Sequence, residues 1–327
     1  MERRHFLQWV SSALVAAPAA AWSQTPSKIP TVAYLWHAGN PGEESPYYEA
    51  LIEGFAKLGY VDGRNIRLIH RFPDERPERF KAMAEELVAM KVDVLMSGAI
   101  ASGYLRDATK TIPIVFMFVP DPISMGFAKT LAKPGGNATG LSNFGREIAG
   151  KRLELLKELV PGLERVGFLA NPTQATSHLY SGVMMDAAKE LGLSLVTFNA
   201  RSMEEMEPAF DAMSKAGMQA MLAAQGGTAF QARHIIPKLA LERKLAMCAY
   251  SRETFAPGAL ISYAPDQVEM CRRSAVYADK ILKGTPPGDI PIEQPTAFQL
   301  LVNLKTAKTL GLTVPMHLQR VADEVVE

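Results

Sequence analysis

The stretch PIVFMFVPDPISMG, Pro113–Gly126, opens as an unbroken apolar run and stops on Pro120-Asp121-Pro122. A run this short, bounded by prolines, reads as a strand covered by helices on both faces. Working outward, strands are predicted at 31–36, 65–70, 92–97 and 112–119, with helices near 47–58, 77–90 and 101–109. In ERFKAMAEELVAM, Phe80, Met83, Ala84, Leu87 and Val88 share one helical face. Strands alternating with amphipathic helices are the signature of a parallel sheet.

The pattern then starts again. Strands recur at 165–170, 194–199, 218–224 and 244–250, with helices near 176–190, 203–215 and 229–242. Tyr34 to Phe168 is 134 positions and Pro113 to Leu245 is 132, a nearly constant offset. A repeat of this length means two duplicated lobes, since solenoid units run ~20 to 50 residues. The expected fold class is therefore α/β, two Rossmann-like lobes with parallel sheets. Pro134-Gly135-Gly136 breaks regular structure, and the chain is expected to cross between lobes near Asn143. ALISYAPDQVEMCRRSAVYADKILKG supplies another strand and a long helix. A proline-rich passage, a final strand and a helix capped by Asn303 follow. Lobe 1 is assigned 30–142 plus 259–292, and lobe 2 is assigned 143–258 plus 293–327.

The composition, 48% hydrophobic and 21% charged, suits a large soluble core. No apolar run reaches the ~18 to 20 residues of a membrane-spanning helix. Residues 1–23 read as an export signal: Glu2-Arg3-Arg4, an apolar stretch, then small residues that fit cleavage after Ser23 or after Ala21. RRHFLQ resembles the twin-arginine pattern, with Glu2 in place of the usual Ser or Thr; a general secretory signal is the alternative. No Cys stands near the cleavage point to carry a lipid. Removing this segment takes Lys+Arg from 35 to 33 and Asp+Glu from 34 to 33, leaving formal net zero. Nothing basic advertises nucleic acid or an anionic surface. Cys248 and Cys271 are expected to be free, buried thiols.

In open α/β sheets, ligands bind outside the carboxyl ends of the strands. Those ends carry Trp36-His37, Ser97-Gly98-Ala99, Pro120-Asp121, Asn171-Pro172, Gln225-Gly226-Gly227 and Tyr250-Ser251. Amides, hydroxyls and aromatics dominate; paired acids, clustered histidines and nucleophiles do not. That is the inventory of a binder. GREIAGKR (145–152) matches a phosphate-binding loop except at Arg152, which cannot replace the hydroxyl that ligates magnesium. ASG and GLSNFG miss the G-x-S-x-G elbow, and no two of the six histidines stand at metal-ligand spacing. No catalytic residue, metal or cofactor is expected. The Ser97-Gly98-Ala99 turn would point backbone N–H groups at a ligand carboxylate. Asp121 has three readings: a catalytic acid, which lacks a titrating partner; a turn former; and a ligand anchor, the reading preferred, with the turn its rival.

Four blocks carry a resemblance across essentially the whole mature chain: GFAKLGYVDGRNI (54–66), TIPIVFMFVPDPISMGFAKTLAKPGGNATGLS (111–142), GKRLELLKELVPGLERVGFLANP (150–172) and EQPTAFQLLVNLKTAKTLGLTVP (293–315). Together they resemble the type I periplasmic binding proteins, and in particular the tryptophan/tyrosine-type substrate-binding family of ABC importers. The resemblance implies a two-lobed Venus flytrap that closes on a small solute and hands it to an ABC permease with its ATPase, without catalysis. It implies a periplasmic location and amino acids, aromatic ones among them, as ligands; a monomer is expected. On this reading Ser97, Gly98, Ala99 and Asp121 act from lobe 1, and Asn171, Gln225 and Tyr250 act from lobe 2. Asn143 stands at the crossing. Trp36, Tyr250 and Tyr263 suit an aromatic solute, and Trp36-His37 with Gln225 are where ligand identity would be set. A ligand-sensing module for a membrane receptor and an extracytoplasmic α/β enzyme are the competing classes.

Overall fold

The computed structural model describes residues 29–143 and 145–327. The export segment 1–23, with its arginine pair, lies outside the described residues. Five strands form the first sheet: β1 (Thr31–Leu35), β2 (Arg67–Arg71), β3 (Val94–Gly98), β4 (Ile114–Val119) and β5 (Ala138–Ser142). Their spatial order is β2-β1-β3-β4-β5, all parallel. The second sheet holds β6 (Arg165–Ala170), β7 (Ser194–Asn199), β8 (Ala220–Ala223), β9 (Ala246–Ala249), β10 (Ile261–Pro265), β11 (Phe298–Asn303) and β12 (Glu324–Val326). Its order is β12-β11-β10-β9-β8-β6-β7. Read from β7 to β10, it repeats the first sheet strand for strand. Only the β10–β11 pair is antiparallel among the described ladders.

Each sheet is covered on both faces, which is why its strands are apolar throughout. Val115 and Met117 of β4 enter one core cluster, while Ile114 and Phe116 enter the cluster on the opposite face. Phe168 and Leu169 of β6 divide between two clusters in the same way. Each such side chain contributes on the order of 1.5–3 kcal/mol when fully buried. Cys248 and Cys271 are buried and unpaired. Asn303 caps its helix as expected, accepting from the Thr306 N–H at 2.9 Å.

Three features depart from the expectation. β5 lies in the glycine-rich passage read as irregular. Its Gly140 sits at φ 151°, and a Cβ there would lie 2.0 Å from the Phe116 carbonyl oxygen, so the strand depends on a residue that ordinarily argues against one. The helix expected over 229–242 is two, Gly227–Gln231 and Ile236–Glu242. Finally, β10 belongs to the second sheet, whereas 259–292 was assigned whole to lobe 1. The chain after the strand, the helix Gln267–Leu282 and on to Ile292, returns to lobe 1, where Met270, Cys271 and Ala275 join the core beside Phe55 and Ile292 joins the cluster that holds Phe116. The crossing therefore falls at Pro265–Gln267, and β10 is the counterpart of β5 in the repeat.

Candidate functional site

The carboxyl ends of β1, β3 and β4 face those of β8 and β9, and a cavity of about 600 Å³, its mouth included, lies between the sheets. From lobe 1 it is lined by His37, Tyr47, Glu75, Ala99, Ile100 and Phe118, with Gln267 at the crossing. From lobe 2 come Gln225, Gly226, Gly227, Phe230, Arg233, Tyr250, Ser251, Glu253 and Thr254. The lobes touch across it. The Arg233 Nη2 donates to the Glu43 carbonyl at 3.0 Å, and the His37 and Phe230 rings approach to 5.0 Å between centroids. The Tyr47 hydroxyl lies 2.6 Å from Glu253 Oε2 and 2.8 Å from Gln267 Oε1; its single proton can bond one of them at a time.

Charge is arranged in the cavity by specific neighbours. Glu44 is completely buried; its Oε1 accepts from the backbone N–H groups of His37 and Ala38 at 2.8 and 2.7 Å. The same oxygen stands 3.1 Å from His37 Nδ1. Burial alone would lower the imidazole, but the Glu44 carboxylate outweighs it and raises His37 from 6.5 to about 9. Burial likewise pushes Glu44 up, yet His37 and the two N–H groups hold it below the usual carboxylate range. His37 is thus a cation at neutral pH, with its Nε2 3.6 Å from where a Cβ on Gly98 would stand.

Glu75 is the opposite case. Its backbone is left-handed, φ 55°, fixed by a 2.8 Å bond from its N–H to the His37 carbonyl. That turn sends the carboxylate across the cleft to lobe 2, where a Cβ on Gly227 would lie 1.9 Å from Oε2. Glycine at 227 is what lets the lobes meet there. Glu75 makes no ion pair within 4 Å among the described residues, and burial pushes it up from 4.5 to about 7, with His37 pulling the other way. Arg233 stacks 4.1 Å over the Phe230 ring and is bonded only to carbonyls, those of Phe230 and Glu43, among the described contacts. Phe118 reaches the cavity through a second strained position: φ 59° at a register shift in β4.

Of the residues expected at the site, His37, Ala99, Gln225 and Tyr250 line the cavity, and Gly98 underlies it as the residue before the helix Ala99–Ala108. Gln225 is fixed by donors from Asn143 Nδ2 and the Tyr180 hydroxyl, both at 2.8–2.9 Å of their partners in a shared cluster at the crossing. Asn143 therefore acts through Gln225 and does not reach the main cavity. Four others lie elsewhere. Trp36 is 1% exposed, stacked on Tyr34 at 3.7 Å, and its Nε1 donates to His70 Nδ1 at 3.0 Å. Ser97 is buried and donates to Ser102 Oγ at 3.0 Å. Asn171 bonds Thr228 and Thr173 behind the cavity, within lobe 2. Tyr263 stacks on Phe298 at 5.4 Å.

Asp121 is a turn former. Its Oδ1 accepts from the Ile123 and Ser124 N–H groups at 3.1 and 3.0 Å, and it does not line the cavity. Asp121→Ala should cost about 1 kcal/mol of stability, the worth of those bonds, and leave ligand affinity unchanged. Thermal unfolding and calorimetry together check both halves. Tyr47, Glu75, Phe118, Phe230, Arg233 and Glu253 also line the cavity, and no sequence motif marks them. They come from a strand end, loops and short helices far apart in the chain, and no spacing rule links them.

Residues 43–326 match the protein family described as ABC transporter substrate binding protein. The chain belongs to that family. A curated relative, the tyrosine-binding protein of Clostridioides difficile (strain R20291), is 26% identical over 274 residues, covering 82% of this chain and 79% of that protein. Among solved structures, a conserved domain protein from Vibrio cholerae O1 biovar El Tor superposes with a TM-score of 0.85 at 26% identity, over 91% of this chain and 100% of that one. An ABC domain from Streptococcus pneumoniae in complex with L-Trp gives 0.84 at 24% identity, over 91% and 99%. Two facing α/β lobes with this topology are the type I periplasmic binding protein fold.

Proposed function

We propose that this protein is the exported receptor of an ABC importer and that its solute is an aromatic amino acid held as the zwitterion. One observation carries the reading: a single interlobe cavity combines two cations, His37 and Arg233, with two carboxylates, Glu75 and Glu253, between walls of Phe118, Phe230, Tyr47 and Tyr250. The ligand carboxylate goes to Arg233, to His37 and to the backbone N–H groups that open the helix Ala99–Ala108. The ammonium goes to Glu75, which makes no ion pair within 4 Å among the described residues and feels His37 and Arg233 only at longer range. The ring goes between the aromatic walls. The tyrosine-binding relative and the L-Trp complex support the same ligand class.

Both lobes supply ligand contacts, so a bound solute favours the closed state over the open one. Residues 1–23 serve as the cleavable export signal, with twin-arginine export one route, and the mature protein works in the periplasm as a monomer. It passes the solute to a permease driven by its ATPase and performs no reaction of its own. A thermal-shift screen of the twenty amino acids on the chain from residue 24 tests this. A solute at 100 times its Kd adds about 2.7 kcal/mol to stability. Tyrosine, tryptophan or phenylalanine should give the largest shift, and a screen in which no amino acid shifts the transition rejects the reading.

A further inference from the structure

We infer that the Tyr250 hydroxyl reads the polar tip of the ligand's aromatic ring, an N–H or O–H, and so selects against rings that lack one. The inference rests on the reading of the ligand as an aromatic amino acid and adds which rings are accepted.

Tyr250 follows β9 and is 7% exposed, lining the cavity beside Ser251 and Thr254. Its hydroxyl is buried and has no hydrogen-bond partner. The Thr254 side chain is its hydrogen-bonding neighbour but stands outside bonding geometry; the Thr254 hydroxyl pairs with Ser251 Oγ at 3.0 Å, and Ser251 Oγ also accepts the Thr254 N–H at 3.3 Å. The backbone holding the ring is fixed: the Tyr250 carbonyl accepts from Arg152 Nη2 and Gln225 Nε2, both at 3.4 Å. A fixed, buried and unpartnered hydroxyl in a binding cavity is a group waiting for a ligand atom, because buried polar groups are otherwise paired. Burial also raises its pKa to about 12, so it stays neutral at working pH.

Which ligand atom it meets follows from the other polar groups. The charged head of an amino acid is matched by charged side chains, Glu75, Glu253, Arg233 and His37. A neutral hydroxyl suits a neutral partner, and a phenol O–H or indole N–H is the neutral polar group that an aromatic amino acid carries. With phenylalanine bound, the Tyr250 hydroxyl would be sealed against carbon. A site built to bond a substrate O–H or N–H rejects the analogue without it for that reason.

The test is calorimetric titration of L-tyrosine, L-tryptophan and L-phenylalanine into the wild-type mature protein and Tyr250→Phe, with thermal unfolding of both unliganded proteins. Wild type should prefer tyrosine or tryptophan to phenylalanine by about 10- to 100-fold. Tyr250→Phe should weaken the preferred ligand, strengthen phenylalanine and bring the two within about 3-fold, while unliganded stability does not fall. Equal wild-type affinity for phenylalanine overturns the inference. So does a uniform loss across all three ligands, which would put the hydroxyl against the amino acid head. A clear drop in unliganded stability also overturns it, since the hydroxyl would then be bonded within the protein. If none of the three binds wild type, the aromatic amino acid reading itself fails, and this inference with it.

Discussion

Glu44→Ala should lower stability by about 3–5 kcal/mol near neutral pH, the range for removing one partner of a buried charge pair. The loss has two parts. The His37 and Ala38 N–H groups, which Glu44 Oε1 accepts at 2.8 and 2.7 Å, lose their acceptor at a buried turn. His37, raised from 6.5 to about 9 by that carboxylate, becomes a buried cation without its partner and gives up its proton instead. The sign in pH follows from the shifts. A raised imidazole contributes stability that is complete below pH 6.5 and lost as pH rises through about 9. A lowered carboxyl contributes stability that is present above 4.5 and lost as pH falls below it. Wild-type protein should therefore lose stability between pH 6.5 and 9, and Glu44→Ala should show a clearly shallower loss there, with the part that remains near pH 7 due to Glu75. Urea titrations across that window decide the matter. A variant within 1 kcal/mol of wild type, or one with the same slope, contradicts the buried pair.

Glu75→Gln should weaken binding of a zwitterionic amino acid by about 10- to 100-fold, equivalent to the 1.5–3 kcal/mol of a charge-assisted hydrogen bond. The substitution keeps size and shape, so closure against Gly227 is preserved while the charge goes. Free Glu75 titrates at about 7, well above the ordinary 4.5. A ligand ammonium favours the ionised form, so binding near or below pH 7 releases a proton, and wild-type affinity falls as pH drops through that value. Glu75→Gln should show neither effect in that range. Stability moves the other way. A carboxyl with a raised pKa costs the folded protein stability as pH rises from 4.5 to about 7, so the unliganded glutamine variant should be more stable than wild type at pH 8. Titrations in two buffers of different ionisation enthalpy count the proton directly. Unchanged affinity, or the same pH dependence in the variant, removes Glu75 from the ligand site.

The fold was legible where a physical rule leaves little choice. β4 had to be covered on both faces because every one of its side chains is apolar, and the 132- to 134-residue offset had to mean two lobes. The repeat was stronger than the use made of it. It required a fifth strand in each lobe, but Gly140 hid β5, and with β5 unseen β10 was given to the wrong sheet. Trp36 could have been placed from strand periodicity. It follows Val32 and Tyr34 at steps of two, and both face the core. Asp121 between prolines was a turn by local chemistry, and strand-end position was the weaker argument.

The charged site was illegible for a different reason. Glu75, Phe118 and Ala99 all reach the cavity from left-handed backbone, which is sparsely populated by residues with a side chain. Tertiary packing imposes it, and no local pattern announces it. Arg233 and Glu253 meet the lobe 1 groups only once the lobes face each other.

The most direct measurement of the central claim is calorimetric titration of the mature protein with L-tyrosine, with tyramine, which lacks the carboxylate, and with 4-hydroxyphenylpropionate, which lacks the amine. A cavity that pairs Glu75 with the ammonium and Arg233 with the carboxylate should bind the amino acid at least about 10-fold more tightly than either analogue. Glu75→Gln should abolish the advantage over 4-hydroxyphenylpropionate and keep the advantage over tyramine. An analogue that binds as tightly as the amino acid, or no binding by any of the three, would contradict the account.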